Sequence, residues 1–256
     1  MKRLVSLFLA SAVTVGSISA DVVVYPAGEG VSTTDDFTVR VRQAGGEWQP
    51  VAVYPVKVDE VRGTKHTVEV ASMSYFDFDG TVDVQVIPRR EAVKEVRVRP
   101  LSYNIKPAVS GDTLSFTLDS PRNLSVEING DIFHNLHLFA NPIDTNRPSA
   151  KEIKRSGKKG SKLIYFGPGL HQLPGGELKV PSGTTVYVDG GARVLGQLVA
   201  DSVENVRLYG RGEVHPEGRG EGVYIKRSRN IEAEGIIVTQ IPVGASLSLI
   251  HISEPT

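Results

Sequence analysis

The sequence predicts an all-β protein in which a β-sandwich precedes the first coils of a parallel β-helix. Three observations favour this class. Apolar and polar residues alternate over residues 21–141, no convincing amphipathic helix interrupts that region, and glycine recurs at similar intervals after residue 162. The 256 residues are 40% hydrophobic and 23% charged, which is typical of a folded globular protein.

The first 20 residues are expected to be a secretory signal peptide. Lys2-Arg3 precede a largely apolar run over residues 4–15, and the small residues Ser19-Ala20 follow. This run is too short for an ordinary transmembrane helix, and no later segment reaches the roughly 20 apolar residues that a span needs. We therefore expect a secreted or periplasmic protein with no membrane span.

Charge and cysteine content exclude several classes of function. Basic and acidic residues both number 29, so the chain lacks the positive charge of a nucleic-acid-binding protein. It contains no cysteine, which excludes disulfides, thiolate metal sites and cysteine nucleophiles. No cofactor and no nucleic-acid partner are predicted.

Residues 21–141 are predicted to form the β-sandwich. Short runs alternate apolar with polar residues, the period of a strand with one buried face. Their apolar positions are Phe37, Val39 and Val41; Val82, Val84 and Val86; Val96 and Val98; Leu114, Phe116 and Leu118; and Leu124, Val126 and Ile128. Turn-forming sequences separate the runs, at residues 44–46, 79–80, 110–112 and 129–131. Many short strands with such turns are typical of a sandwich.

Residues 142–161 are predicted to be the linker between two domains. Prolines, glycines and basic residues are concentrated here: Pro142, Pro148, Gly157, Gly160, Arg147, Lys151, Lys154, Arg155, Lys158 and Lys159, with Lys162 next to them. One interpretation is a basic surface that grips an acidic polysaccharide. The other is a solvated linker, which is favoured because no aromatic residues are interleaved with the charges.

Residues 162–246 are predicted to be the start of a β-helix. Gly167, Gly190, Gly210 and Gly235 follow one another at spacings of 23, 20 and 25 residues. The positions four and two residues before each glycine are mostly apolar and are expected to face inward: Leu163 and Tyr165, Val186 and Val188, Val206 and Leu208, Ile231 and Ala233. A propeller blade would need about four strands per repeat of about 40 residues, which does not fit. A second sandwich is the alternative.

Residues 247–256 resemble the translation of a sequencing adapter. We expect no strand there and expect the natural reading frame to have been interrupted near residues 244–246. The β-helix would then be truncated, and the chain would be an N-terminal fragment.

Four segments resemble the opening coils of polygalacturonase-like enzymes. They are LIYFGPGLH (163–171), LKVPSGTTVYVDGGA (178–192), NVRLYGRGE (205–213) and NIEAEGIIV (230–238). These enzymes are glycoside hydrolase family 28 and the related dextranase and isopullulanase group. The resemblance implies a right-handed, pectin-lyase-like parallel β-helix, and the strand-rich N-terminal region is most similar to the dextranase arrangement.

The resemblance also implies an activity: hydrolysis of a polysaccharide with inversion, by two carboxyl groups about 6.5–9.5 Å apart. The family signatures Asn-x-Asp, Asp-Asp, Gly-His-Gly and Arg-x-Lys do not occur over residues 161–246. No catalytic, cofactor-binding or metal-binding residue is therefore assigned, and the fragment itself is expected to be inactive. The alternatives are a non-catalytic carbohydrate-binding β-solenoid and a polysaccharide lyase with calcium and a basic residue.

Several smaller groups of residues have two interpretations. His134 and His137 could form a metal pair, but their odd separation places them on opposite faces of a strand, so isolated histidines are preferred. The segment Asp77-Phe78-Asp79-Gly80 superficially resembles a calcium loop, and a hairpin turn at Asp79-Gly80 is preferred. The pair Asp35-Asp36 is interpreted as a polar turn.

Three glutamates and a group of aromatic residues complete the candidates. Glu213, Glu217 and Glu221 could do acid–base chemistry if they were buried together, but solvated loop charges are preferred. Aromatic side chains in the first domain could stack on sugars, although packing in the core is the preferred interpretation. These residues are Trp48, Tyr54, Tyr75, Phe76 and Phe78.

Overall fold

The computed structural model describes residues 21–62, 65–217, 221–239 and 248–249. It confirms the all-β class. Within these ranges the helical elements are α1 (Ala150–Arg155) and a 3-10 turn, Leu101–Tyr103. No helix in the described ranges is long and apolar enough to cross a membrane. The predicted signal peptide lies outside them.

The first sheet of the sandwich has six strands. They are β1 (Val22–Val24), β4 (Val53–Arg62), β5 (Lys65–Phe78), β7 (Val96–Arg99), β10 (Arg122–Ile128) and β11 (Asp131–Pro142). Their order is β1-β5-β11-β10-β7, with β4 also paired to β5. The pairing of β5 with β11 is parallel, and the other pairings are antiparallel.

The second sheet is antiparallel and has five strands. They are β2 (Phe37–Gln43), β3 (Gln49–Val51), β6 (Val82–Pro88), β8 (Ala108–Ser110) and β9 (Thr113–Leu118), in the order β3-β2-β6-β9-β8. Alternate residues of β2, β6, β9 and β10 are buried in one core between the sheets, together with Leu136 and Leu138 of β11. The predicted alternation is therefore confirmed for these strands.

Two predicted turns have different outcomes. Asn129-Gly130 joins β10 to β11 as a two-residue hairpin turn, with positive φ angles of 52° and 80°. The predicted hairpin at Asp79-Gly80 is wrong, because β5 and β6 belong to different sheets. At its end, β5 is already paired with β1 on one side and β11 on the other, so β6 has no free edge to join.

The β-helix has two parallel sheets and about three turns. One sheet contains β12 (Leu163–Phe166), β14 (Thr185–Val188), β16 (Glu204–Gly210) and β19 (Arg229–Glu234). The other contains β13 (Gly169–Lys179), β15 (Ala192–Asp201), β17 (Glu213–His215), β18 (Val223–Lys226) and β20 (Ile237–Val238). Side chains from both sheets fill a common core.

The repeat register differs from the glycine alignment in the first coil. Ile164 pairs with Val186 and Phe166 pairs with Val188, so Ile164 and Phe166 pack against the core. The prediction that Leu163 and Tyr165 face inward is therefore wrong. Gly167 and Gly190 are 23 residues apart, whereas β12 and β14 pair at an offset of 22 residues. The glycine alignment therefore placed the inward positions of β12 one residue too early. The predicted inward positions of the other three coils do pack in the core.

A short strand is also present where none was expected. β21 (Ser248–Leu249) pairs antiparallel with β20. An unpaired strand edge offers hydrogen-bonding groups to any extended segment that follows, which accounts for the pairing. The other residues of 247–256 lie outside the described ranges.

The sandwich and the β-helix share an apolar interface. Tyr25, Tyr54, Val56, Ala71, Met73, Tyr75, Phe139 and Ile237 form one buried cluster to which both parts contribute. A hydrogen bond also crosses the interface, because the Gly191 amide donates to the Tyr75 hydroxyl at 2.8 Å.

A buried ion pair lies beside this interface. Arg211 of the β-helix donates from Nε to Oδ1 of Asp77 in the sandwich at 2.8 Å, and the two side chains are 6% and 0% exposed. Asp77 also accepts from the Tyr25 hydroxyl and the Asp144 amide, and Arg211 donates to the Pro142 carbonyl. Burial alone would lower the pKa of Arg211, but the attraction of Asp77 outweighs it and raises that pKa, so Arg211 stays charged.

We expect Arg211→Met to lower the free energy of unfolding by about 3–5 kcal/mol, because it leaves the Asp77 carboxylate buried without its countercharge. Urea denaturation measures this change. The control is Arg227→Met, which removes an ion pair to Asp201 with side chains 65% and 31% exposed and should change the free energy of unfolding much less. Equal losses in the two variants would contradict the assignment.

Gly210→Ala should also destabilise the protein. A Cβ at Gly210 would lie 1.9 Å from the Val188 carbonyl oxygen of the preceding coil, and its φ is +135°. We expect a loss of about 2–4 kcal/mol. Gly157→Ala is the control, because Gly157 also has a positive φ but open space around it, so about 1 kcal/mol is expected. Thermal unfolding of both variants tests whether coil stacking requires the close approach.

Candidate functional site

A polar groove of about 590 Å³ lies on the outer face of the β12-β14-β16-β19 sheet. Leu163, Thr185, Arg207 and Glu232, one residue from each strand, pair in register and line it. Neighbouring strands are about 4.8 Å apart, so these four positions span about 14 Å. The remaining lining comes mainly from residues 146–162. The volume is within the range of about 300–1,000 Å³ that is usual for ligand sites.

Three tyrosines form a second ladder beside the groove. Tyr165, Tyr187 and Tyr209 pair in register on the same outer face, and Tyr209 lines the groove. The rings of Tyr165 and Tyr187 are stacked, with centroids 6.0 Å apart and planes 12° apart. Burial and a nearby carboxylate raise the pKa of each, to about 12 for Tyr165 and Tyr209. All three hydroxyls therefore remain protonated donors at neutral pH.

The ladder holds the segment that joins the two parts of the chain. Tyr187 donates to Asp144 at 2.5 Å. The buried carboxylate of Asp189 accepts from the Tyr165 hydroxyl at 2.5 Å and from Arg147 at 2.7 Å. Its hydrogen bond with Asp189 raises the pKa of Arg147. Thus Asp144 and Arg147 dock on the β-helix, whereas the sequence favoured a solvated linker.

Four basic and two acidic side chains line the groove. Both carboxylates are engaged: Glu152 closes the capping box of α1, and Glu232 pairs with Arg207 at 3.4 Å. Arg155 and Lys162 are exposed, and neither has a carboxylate partner among the residues that the structure describes. The groove therefore offers unpaired cations beside hydrogen-bonding side chains.

A second polar cluster lies on the outer face of the other helix sheet. Glu213 is 5% exposed, pairs with Arg193 of the preceding coil at 2.5 Å and accepts from Thr239 at 2.6 Å. His215 is hydrogen-bonded to Thr239 at 2.7 Å and lies 3.6 Å from Glu213. Burial lowers the pKa of His215 although Glu213 opposes the shift.

The preference for three solvated glutamates is wrong for Glu213. Glu217 and Glu221 are exposed, as expected, and Glu217 contacts Gln172. Glu213 differs because Arg193, one coil earlier, supplies the countercharge that permits burial. The three side chains therefore do not form one acid–base group.

His134 and His137, which were considered as a metal pair, have separate surroundings. His134 lies between Asp131 and Glu69, at 2.7 Å and 3.3 Å. His137 has no charged partner in the described ranges, and burial lowers its pKa. Among the described residues, no three His, Asp or Glu side chains are arranged to hold a metal.

The aromatic residues of the first domain are mainly core residues. Tyr54, Tyr75, Phe76 and Phe78 are buried, whereas Trp48 is half-buried under the guanidinium of Arg42. The polar turn at Asp35-Asp36 is held by two hydrogen bonds from Arg90 to Asp36. Neither group lies in the groove.

Comparisons with known proteins identify the fold. No family model matches the chain, and no curated protein matches it. Among solved structures, the chain is similar to Dex49A from Penicillium minioluteum, with a TM-score of 0.55 and 16% identity over 75% of this chain. This likeness supports a β-helix fold for the chain. The chain spans 47% of the length of Dex49A.

The groove and the tyrosine ladder were not predicted from the sequence. The spacing of Tyr165, Tyr187 and Tyr209 is 22 residues in both steps, which matches the observed register. Aligning tyrosines instead of glycines would have revealed both the coil length and the outer ladder. The burial of Glu213 has no such local signal, because it depends on a residue of another coil.

The lowered pKa of His137 predicts a pH dependence of stability. The folded state takes up a proton less readily than the unfolded state, so this contribution is fully present above about pH 6.5. It is lost as the pH falls through the folded-state pKa. We expect His137→Gln to reduce the slope of unfolding free energy against pH below 6.5. Parallel curves for the variant and the parent, from urea titrations at several pH values, would contradict this.

Proposed function

We propose that this chain belongs to an exported glycoside hydrolase that cleaves a polysaccharide with inversion. The observation that supports this most strongly is the architecture, a β-sandwich followed by a parallel β-helix, in a chain similar to the dextranase Dex49A. The four sequence segments that resemble polygalacturonase-like coils support the same class. Export is supported by the signal-like residues 1–20.

The geometry of a β-helix suits an extended polymer. Side chains at equivalent positions of successive coils form rows along the axis, as Leu163, Thr185, Arg207 and Glu232 do in the groove. Inversion requires one carboxylic acid to protonate the leaving oxygen and a carboxylate to activate water on the other face of the sugar. We propose that these two groups lie outside the described residues. Dextran-like and galacturonan-like substrates both fit this scheme.

A second candidate is a non-catalytic carbohydrate-binding β-solenoid. The observation that favours it is the state of the groove carboxylates. Glu152 is held by the capping box of α1 and Glu232 is paired with Arg207, so neither is free for acid–base work. A groove with engaged acids can bind a sugar polymer without cleaving it.

Sequencing the gene through the codon for Gly244, followed by assay of the whole encoded protein, separates these candidates. We expect further coils with Asn-x-Asp, Asp-Asp and Gly-His-Gly, and reducing ends released from dextran or polygalacturonate. Proton NMR of the first product should show the anomer opposite to that of the substrate. Coils without paired acids, and no cleavage of either polymer, would favour the binding solenoid. Retention of the anomeric configuration would contradict the inverting mechanism.

A further inference from the structure

We propose that the groove on the β12-β14-β16-β19 sheet is a binding site for an acidic polysaccharide, recognised through the carboxylates of its uronic acid residues. It is a holding site on the first coils of the β-helix. The inference rests on the proposed function only in taking a polysaccharide as the occupant. Its chemistry comes from the residues that line the groove.

The charge of the groove selects an acidic ligand. Arg147, Arg155, Lys162 and Arg207 line it, against the carboxylates of Glu152 and Glu232. A neutral glucan has no charge to meet the exposed cations of Arg155 and Lys162. A uronate places a carboxylate on every sugar, and such carboxylates pair with guanidinium and ammonium groups.

The shape of the groove selects an extended ligand. Its floor is a row of side chains from four successive strands, about 14 Å long. Tyr209 lines the groove beside this row. Arg155 and Lys162, from the segment after Pro148, lie along the same groove and so can contact successive sugars.

The docking of residues 144–147 keeps this arrangement in place. Asp144 is bound by Tyr187, and Arg147 is bound by the buried Asp189. The basic segment is thereby fixed against the sheet before any ligand arrives. Interleaved aromatics are absent from the segment itself, and Tyr209 is the member of the tyrosine ladder that lines the groove.

Binding of hexagalacturonate to the full chain tests the proposal. The matched probe is the same hexamer with its carboxyl groups methyl-esterified, which removes the charge and keeps the sugars. We expect calorimetric titration to show binding of the acid form, weakened by salt, and at least tenfold weaker binding of the ester. Equal binding of the two forms, or no binding of the acid form, would overturn the proposal.

One double variant of the groove and one control locate the site. Arg155→Gln combined with Lys162→Gln should weaken binding by about fivefold to tenfold, since each exposed pair contributes modestly. The control, Lys158→Gln combined with Lys159→Gln, removes two exposed cations of the same segment that do not line the groove, and it should bind like the parent. Equal weakening by the control would mean that only the overall charge of the segment matters, and this would overturn the proposed site.

Glu232→Gln should change affinity in the opposite direction. It removes the carboxylate that pairs with Arg207 and keeps a side chain that can accept from Tyr209. We expect hexagalacturonate to bind about threefold to fivefold more tightly. Misfolding does not produce a gain in affinity, so unchanged or weaker binding by a variant with parental thermal unfolding would contradict the proposal. These results do not depend on whether the whole protein cleaves any polymer.

Discussion

The ion pair between Asp77 and Arg211 is the contact on which the arrangement of the two domains depends. A carboxylate and a guanidinium that are almost completely excluded from water are stable only while each remains paired and hydrogen-bonded. Because Asp77 lies in β5 of the sandwich and Arg211 follows β16 of the β-helix, separating the domains would leave both charges unpaired. The apolar cluster around Tyr75 and Ile237 adds burial to this constraint. The sandwich is therefore part of the same folded unit as the first coils.

The groove is a consequence of this fixed arrangement. With the sandwich in place, the chain leaves β11 directly over the outer face of the β-helix, where Tyr187 and Asp189 bind Asp144 and Arg147. Coil stacking supplies the rows of side chains, and the joining segment supplies a basic side wall. The polysaccharide proposed as the ligand needs an elongated polar surface of this kind, and the proposed preference for acidic polymers rests on the cations of the groove. The function proposed for the chain and the ligand proposed for the groove are thus linked through geometry, although each can be tested alone.

The sequence predicted the elements well where a strand has one buried face, because alternation of Val82, Val84 and Val86 directly reports that face. It also predicted parallel coils from their glycines. It could not predict that Asp79-Gly80 connects two sheets, since that depends on which edges of β5 are already occupied. The buried charges were harder still: the partner of Glu213 is 20 residues away and that of Asp77 is 134 residues away. Local patterns contain no information on such pairings, and a buried carboxylate has the same local sequence as a solvated one.

Differential scanning calorimetry of the full chain tests most directly whether the two domains form one unit. If the buried ion pair and the shared apolar cluster couple the sandwich to the β-helix, the chain will unfold in one transition. Its calorimetric enthalpy will then equal its van't Hoff enthalpy. Two separate transitions, or a van't Hoff enthalpy well below the calorimetric value with the parts melting independently, would contradict the coupling and with it the preformed groove.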